Sequence, residues 1–131
     1  DNEEFLYVLS IPHLTLELYE QWRDHVQAEA MERIHVGPGH MASYITPIFI
    51  CDTCDEAARK ALKKCRIYKS FHFSLHGWMD HHTALVELST GQIDGNLGGR
   101  HTAKNLKKVL YSQTLKGESS ATADGSASSG A

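Results

Sequence analysis

The sequence predicts one α/β domain built around a mixed β-sheet, with helices flanking it in the order β-α-β-α-β-β-α. Three observations predict it. The chain has 131 residues, enough for one hydrophobic core. Its composition, 41% apolar and 22% charged, is typical of globular proteins. Apolar side chains recur with helical spacing in some segments and alternate as in strands in the segments between them.

The first two elements are a strand and a long helix. Residues 5–9 (FLYVL) form a short apolar run that indicates a strand. Pro12 follows, and proline suits the first turn of a helix because its missing N–H is unpaired there in any case. The helix is predicted over residues 13–33. Its buried stripe is expected to consist of Leu14, Leu18, Trp22, Val26 and Ala30.

The next two elements are a second strand and a basic helix. Residues 44–50 (YITPIFI) indicate the strand, although Pro47 argues against a place inside a sheet ladder. Thr53 and Glu56 have the capping-box spacing, so the helix is expected to begin near Thr53. The predicted inward face consists of Cys54, Ala58, Ala61, Leu62 and Cys65. The basic side chains are expected on the opposite face.

A β-hairpin and a closing helix complete the domain. Strand alternation is present at Phe71, Phe73, Leu75, and again at Ala84, Val86, Leu88. Ser89, Thr90 and Gly91 indicate a hairpin turn, with Ile93 and Leu97 on the return strand. Thr102 is expected to cap a helix whose buried side chains are Leu106, Val109 and Leu110.

The predicted domain covers residues 1–115. Residues 1–36 either join its sheet or pack as a separate βα extension, and both alternatives stay open. Residues 116–131 are rich in Ser, Gly and Ala, a composition that cannot bury a core. We expect them to form a flexible tail that becomes ordered only against a partner.

The order of elements and one local pattern resemble the thioredoxin-like superfamily over about half of the chain. The pattern comprises the turn glycine Gly91, a second glycine at Gly99 and an apolar Leu106 on the closing helix. Gly99 is expected to let that helix approach the sheet closely. Cys51 and Cys54, between a strand and a helix, resemble the CxxC placement of the family. A compact version of the fold is similar, more loosely, to small structural subunits of mitochondrial ribosomes and respiratory complex I.

The resemblance implies a thiol–disulfide site, with Cys51 attacking and Cys54 resolving the mixed disulfide. A helix N-terminus would stabilise the thiolate of Cys51. Two departures weaken this interpretation. His81 and His82 stand where active thioredoxins carry a cis-proline, and no aromatic residue precedes Cys51. The alternative is that both cysteines are small buried side chains, and we expect that alternative to hold.

Metal binding is a further alternative for the same cysteines. Cys51 and Cys54 together with His81 or His82 would supply the ligand types of a tetrahedral zinc site. Adjacent histidines on a strand point to opposite faces, so both cannot easily bind one ion. We therefore expect no cofactor, with zinc or an iron–sulfur cluster as the less favoured alternative.

A basic helix face offers a contact surface for RNA phosphates or for an acidic protein. It consists of Arg59, Lys60, Lys63, Lys64 and Arg66. The net charge of −3 argues against nonspecific nucleic-acid binding by the whole molecule. The chain contains no run of 18 apolar residues, so no transmembrane helix is expected.

The function predicted from these features is that of a non-enzymatic, thioredoxin-like structural subunit within a larger multiprotein assembly. The alternatives are a thiol–disulfide oxidoreductase that uses Cys51 and Cys54, and a metal-binding redox domain. Three cysteines fit a reducing compartment better than a disulfide scaffold. An organellar interior, mitochondrion or plastid, is the favoured location, with the cytoplasm as the other.

Overall fold

The computed structural model describes residues 2–39, 42–71 and 77–110. Within these residues the chain forms a six-stranded mixed sheet and three helices, which confirms the α/β class. The order is β-α-β-α-β-β-β-β-α, two strands more than expected. The elements are β1 (Asn2–Leu14), α1 (Leu16–Arg33), β2 (Ala42–Cys54), α2 (Glu56–Lys64), β3 (Tyr68–Ser70), β4 (Trp78–His81), β5 (Ala84–Glu87), β6 (Gln92–Gly95) and α3 (residues 100–110).

Strand β2 is the central strand of the sheet. β1 runs parallel to it along its whole length, from the pair Asn2 and Ala42 to the pair Leu14 and Cys54. On the other side of β2, the short strands β4 and β5 follow one another, both parallel to it. β3 and β6 are antiparallel to β4 and β5 respectively. The N-terminal βα unit is thus part of the same sheet rather than a separate extension.

The boundary between β1 and α1 differs from the expected one. Pro12 lies in strand β1 and not in the first turn of the helix. Helix α1 begins at Leu16, because Thr15 is its N-cap and the Thr15 hydroxyl accepts a 3.1 Å hydrogen bond from the Leu18 N–H. Tyr19 is fully buried, whereas Trp22 is exposed, so the predicted stripe is wrong at Trp22.

Helix α2 also begins later than expected. β2 continues through Thr53 and Cys54, and the helix begins at Glu56 with Asp55 as its N-cap. The Asp55 side chain makes no capping hydrogen bond, and the predicted start near Thr53 is wrong. The parallel pairing with β1 stabilises this extension, because the Asp55 N–H donates to the Leu14 carbonyl at 2.9 Å.

The helices lie on both faces of the sheet, in three layers. α1 and α2 cover one face, where Tyr19 and Leu62 pack with Phe49 and Leu85. α3 covers the opposite face, where a second cluster forms from the alternate side chains of the strands. That cluster contains Ala84, Val86, Ile93 and Ala103, with Ile50, Leu106 and Leu110 packed against it. Val109 is exposed, contrary to its predicted burial.

Pro47 lies inside β2 at a point where the neighbouring ladder is interrupted. β4 ends opposite Ile45, and β5 begins opposite Ile48. The Thr83 hydroxyl in the gap donates a 2.8 Å hydrogen bond to the Pro47 carbonyl. The Pro47 nitrogen faces the same gap, since the N–H and C=O of one residue point the same way in a parallel strand. The missing N–H therefore costs no strand-to-strand bond.

The hairpin between β5 and β6 confirms the predicted turn at Gly91. Its φ is +76°, and its N–H donates to the Glu87 carbonyl at 2.8 Å. Gly99 approaches the sheet as predicted, because a Cβ there would overlap the carbonyl oxygen of Thr83. Leu97 lies beyond the end of β6, and α3 begins before Thr102, so the expectations for both residues are wrong.

Several expectations fall on residues outside the described part of the chain. They are the strand alternation at Phe73 and Leu75, and the tail at 116–131. Phe71, which is described, directly follows β3 and packs against the buried cluster that contains Ile45 and Met79. No helix in the described ranges is long and apolar enough to cross a membrane.

Candidate functional site

The two cysteines of the CxxC sequence both lie in strand β2. Cys51 is 2% exposed, and its Sγ is 3.5 Å from the Val86 carbonyl oxygen. Cys54 is half-buried at the end of the strand, with its Sγ 3.3 Å from the Asp55 carbonyl oxygen. An attacking cysteine has to be accessible to its substrate. Cys51 is buried and does not meet this requirement.

The surroundings of these cysteines disfavour the thiolate. Burial raises the pKa of the Cys51 thiol, and the nearby Glu87 carboxylate adds to the rise. Burial and the neighbouring Cys51 raise the pKa of Cys54 to about 12. Arg59 acts in the opposite direction on both and does not compensate. Reactive thiols are instead found in electropositive, accessible places that lower their pKa.

The predicted metal set does not come together. His81 pairs with Ile45, six positions along β2 from Cys51. At about 3.3 Å per residue, this separates the histidine and the cysteine backbones by roughly 20 Å. In residues 2–39, 42–71 and 77–110, no group of three His, Cys, Asp or Glu side chains is arranged to hold a metal ion. The structure therefore does not place Cys51, Cys54 and His81 in one site.

The adjacent histidines point to opposite faces, as expected for a strand. The His81 ring is 1% exposed, and its Nδ1 is 3.1 Å from the Gln27 Oε1. Burial lowers the pKa of His81 to about 4, so its ring is neutral at pH 7. His82 stacks on Tyr44 with ring centroids 4.8 Å apart, and its Nε2 lies 3.0 Å from a carboxylate oxygen of Asp80.

Arg59 is the centre of a buried ionic network and not part of a solvated helix face. Its side chain is almost fully buried, and its Nη2 donates a 2.6 Å bond to Glu87. Its Nη1 donates to Asp94 at 2.5 Å, and its Nε donates to Glu56 at 3.3 Å. The planar guanidinium offers several donors at fixed angles, which suits a residue held between carboxylates. Arg59 is therefore not exposed on the helix face that was expected to contact RNA or an acidic protein.

The remaining predicted cations, Lys60, Lys63, Lys64 and Arg66, are exposed. Lys63 lies at a cleft of about 470 Å³ that follows the outer edge of β6. α2 forms one wall of the cleft, and α3 forms the other. We call this feature the basic cleft. Its lining residues are Lys63, Ile93, Asp94, Gly95, Leu97, Arg100, Ala103, Lys104 and Lys107.

The basic cleft carries an excess of positive charge. Asp94 is the one acid among its described lining residues, and Arg59 already pairs with it. Lys63 lies 3.9 Å from the same carboxylate. Arg100, Lys104 and Lys107 form no ion pair with any residue of the described ranges. These three cations were not predicted as part of a site, although their spacing of four and three residues places them on one helical face.

A second cavity, of about 430 Å³, lies beside His82 at the N-terminus of α3. It is lined by Asn2, Glu3, Glu4, Tyr44, His82, Gly98, His101 and Thr102. Its two glutamates are engaged with neighbours, since Thr46 donates to Glu4 at 3.1 Å and His35 contacts Glu3 at 2.7 Å. The basic cleft, with its unpaired cations, is the better candidate for a functional site.

The fold and the basic cleft together define a mixed α/β domain with a positively charged surface at one edge of its sheet. Residues 1–108 match the family described as Domain of unknown function (DUF8052), and the chain belongs to this family. No curated protein matches the chain. No solved structure matches it either.

Proposed function

We propose that the chain is a non-enzymatic, thioredoxin-like accessory subunit that binds an extended acidic segment of a partner protein in its basic cleft. One observation carries this proposal. Lys63 on one side of the β6 edge, and Arg100, Lys104 and Lys107 on the other, surround a strand edge with positive charge. Charges of one sign along an interface favour and steer a partner of the opposite sign.

The edge of β6 gives the cleft its directional groups. The Asn96 N–H donates to the Thr83 carbonyl at 3.1 Å, which fixes the alternation of the ladder between β5 and β6. In an antiparallel ladder, the residues next to a hydrogen-bonded pair point their N–H and C=O outward. By this alternation, Ile93 and Gly95 offer their backbone groups to the cleft. An extended peptide can therefore add a strand at this edge.

The chemistry of the lining favours a protein segment over RNA. Single-stranded RNA is usually bound on aromatic side chains that stack with its bases. None of the described residues that line the basic cleft is aromatic. Leu97, which is 54% exposed at the end of the cleft, offers an apolar contact for a side chain of the peptide instead.

The thioredoxin-like part of the proposal is supported by the hairpin turn at Gly91, the close approach of α3 at Gly99 and the helices on both faces. The non-enzymatic part is supported by the burial of Cys51 and the raised pKa of both thiols. An oxidoreductase would need the opposite environment for its attacking cysteine. Protein binding accounts for the charged cleft without any covalent chemistry.

Fluorescence anisotropy tests the proposal on the full chain. The probes are a labelled extended peptide rich in Asp and Glu with one Leu, a neutral peptide of equal length, and a single-stranded RNA. We expect the acidic peptide to bind most tightly, with an affinity that falls as salt is added. Weaker binding of the acidic peptide than of the RNA would contradict the proposal, as would equal binding of the neutral peptide.

Charge reversal locates the binding surface. The double variant K104E/K107E should weaken peptide binding about tenfold or more, because two attractive contacts become repulsive. The matched control K60E/K64E changes the net charge equally, on exposed positions of α2 that do not line the cleft. It should change the affinity by about twofold or less through screened long-range charge alone. Equal losses in both variants would contradict binding in the cleft.

A further inference from the structure

The opposite edge of the sheet is formed by β1, thirteen residues long. Among the described residues, β1 pairs with β2 alone, and we call its other side, along which no described strand pairs, the open edge. Leu6 and Val8 are 59% and 60% exposed on the sheet face that carries α3. Val8 lies beside Ile48, which is buried, and so continues the apolar surface of the sheet outward.

The direction of the backbone groups along β1 follows from the central strand. The carbonyls of Ile45 and Cys51 accept from the His82 and Leu88 N–H groups, so the odd-numbered residues of this part of β2 point toward β4 and β5. The even-numbered residues of β2 therefore point toward β1 and bond with its odd-numbered residues, because a residue in a parallel ladder bonds with the two neighbours of its Cα partner. Leu6, Val8 and Ser10 thus present their N–H and C=O groups at the open edge. We call this row of groups the β1 edge.

We propose that the β1 edge pairs with the β1 edge of a second copy of this chain, antiparallel and centred on Tyr7. Two identical edges related by a two-fold axis meet antiparallel, and they form one continuous sheet across both copies. With Tyr7 opposite Tyr7 of the second copy, Leu6 lies opposite Val8 of the second copy. Leu6 and Val8 form hydrogen-bonded pairs, because their backbone groups point at one another.

The same register brings the exposed apolar side chains together. Leu6 of each copy lies opposite Val8 of the other, on the same face of the joined sheet. The Cα atoms of such a hydrogen-bonded pair are about 5.5 Å apart, so the two side chains can pack against each other. The two most exposed apolar side chains of β1 thereby cover each other across the dimer, at two equivalent places.

The charges along β1 favour this arrangement. From Phe5 to Pro12 the strand carries no charged side chain, and its acids Glu3 and Glu4 lie at one end. The antiparallel register sets Glu3 against Ile11 and Glu4 against Ser10 of the second copy, so no acids oppose one another. Open edges are usually protected by lysines, bulges or short length. This long edge has a central stretch without such protection, which fits an edge that is covered by its own copy.

Sedimentation equilibrium on the full chain tests the proposal. We expect a concentration-dependent dimer for the wild type and a monomer for the variant L6K/V8K, because opposed lysines repel across the pair. The matched control V36K/L88K changes two apolar side chains of similar exposure outside β1 and should remain dimeric. Circular dichroism checks that each variant is folded. A wild-type monomer at all concentrations would overturn the proposal, as would a dimer that survives L6K/V8K.

Cysteine cross-linking tests the register. A mixture of the L6C and V8C variants under mild oxidation should yield a disulfide between the two kinds of chain, identified by mass spectrometry. Rapid cross-linking of V8C with itself would place the two-fold axis at Val8 and overturn the Tyr7-centred register. L6K/V8K should also bind the acidic peptide normally, since the basic cleft is at the other edge of the sheet. Failure of this proposal is therefore distinguishable from failure of the proposed function.

Discussion

The Thr83 hydroxyl donates a 2.8 Å hydrogen bond to the carbonyl of Pro47, at the point where one side of the central strand loses its neighbour. The buried amide of Asn96 completes this arrangement. Its Oδ1 accepts from the N–H groups of Thr83 and Gly99, at 3.0 and 2.7 Å. Its Nδ2 donates to the carbonyls of Cys65 and His81, at 3.0 and 2.7 Å. Two side chains thus satisfy the backbone groups that the gap leaves without a strand partner.

Replacement of Thr83 by valine should destabilise the domain by about 1–2 kcal/mol. The valine keeps the shape of the side chain and removes the hydroxyl, which leaves the buried Pro47 carbonyl without this donor. The measurement is the free energy of unfolding from urea denaturation. T53V is the control, because the Thr53 hydroxyl contacts His13 at an exposed position. Equal losses in T83V and T53V would contradict the role assigned to the gap.

Replacement of Arg59 by methionine should destabilise the domain by about 3–5 kcal/mol. The change leaves Glu87 and Asp94 in poorly solvated positions without the guanidinium that compensates them. Urea denaturation measures the loss. R33M removes an arginine whose pair with Glu29 is exposed, and it should cost under about 1 kcal/mol. A solvated Arg59, as the sequence suggested, would give a loss no larger than that of R33M.

The hairpin turn at Gly91 and the burial of Arg59 differ in how far they could be predicted from the sequence. Turn chemistry is local, so Gly91 and the hairpin could be predicted from neighbouring residues alone. The burial of Arg59 could not, because its partners Glu87 and Asp94 lie 28 and 35 residues away and reach it only after the sheet has formed. Pro12 is compatible with both a helix start and a strand, so its local chemistry could not decide between them.

Only part of the basic cleft could be predicted from the sequence, because its residues come together through the fold. Lys63 was predicted on a basic helix, but the cations of α3 were not joined to it. They meet only because α2 and α3 cover opposite faces of the sheet and both reach the edge of β6. For the cysteines the error was the reverse, since a site was considered at residues that the structure buries. Their spacing resembles that of a redox motif, yet burial depends on the packing of α1 and α2 over β2.

The buried histidine predicts how stability depends on pH. The pKa of His81 is about 4 in the folded chain and about 6.5 in the unfolded chain. Burial is the main cause, Arg23 and His82 add to the lowering, and Asp80 opposes it. Below about pH 6.5 the unfolded chain therefore binds a proton that the folded chain does not. The stability tied to His81 is present at pH 7 and declines as the pH falls to about 4, by about 3 kcal/mol.

Urea denaturation at a series of pH values between about 7 and 4 measures this decline. H81L should reduce the decline by most of that amount, whatever the variant costs in stability at pH 7. H101Q, which removes an exposed histidine from α3, should retain the wild-type slope. An H81L variant with an unchanged slope would show that His81 is not the group responsible.

The thiols of Cys51 and Cys54 should react slowly with alkylating reagents. Because the pKa of Cys54 is about 12, its thiolate fraction near pH 8 is about a thousandfold below that of an exposed cysteine. Cys51 has a raised pKa and is buried, so it lacks both thiolate and access. Mass spectrometry after timed alkylation measures the rate at each site.

Unfolding in urea supplies the control, because all three cysteines should then react at the rate of free thiols. The folded wild type and the C51S variant should both show thiol–disulfide exchange only at the background rate. Rapid alkylation of folded Cys51, or exchange activity that C51S abolishes, would favour the oxidoreductase alternative over the accessory subunit proposed above. Slow alkylation of both positions favours the accessory subunit, since a thiol that is protonated and shielded from solvent cannot attack a disulfide.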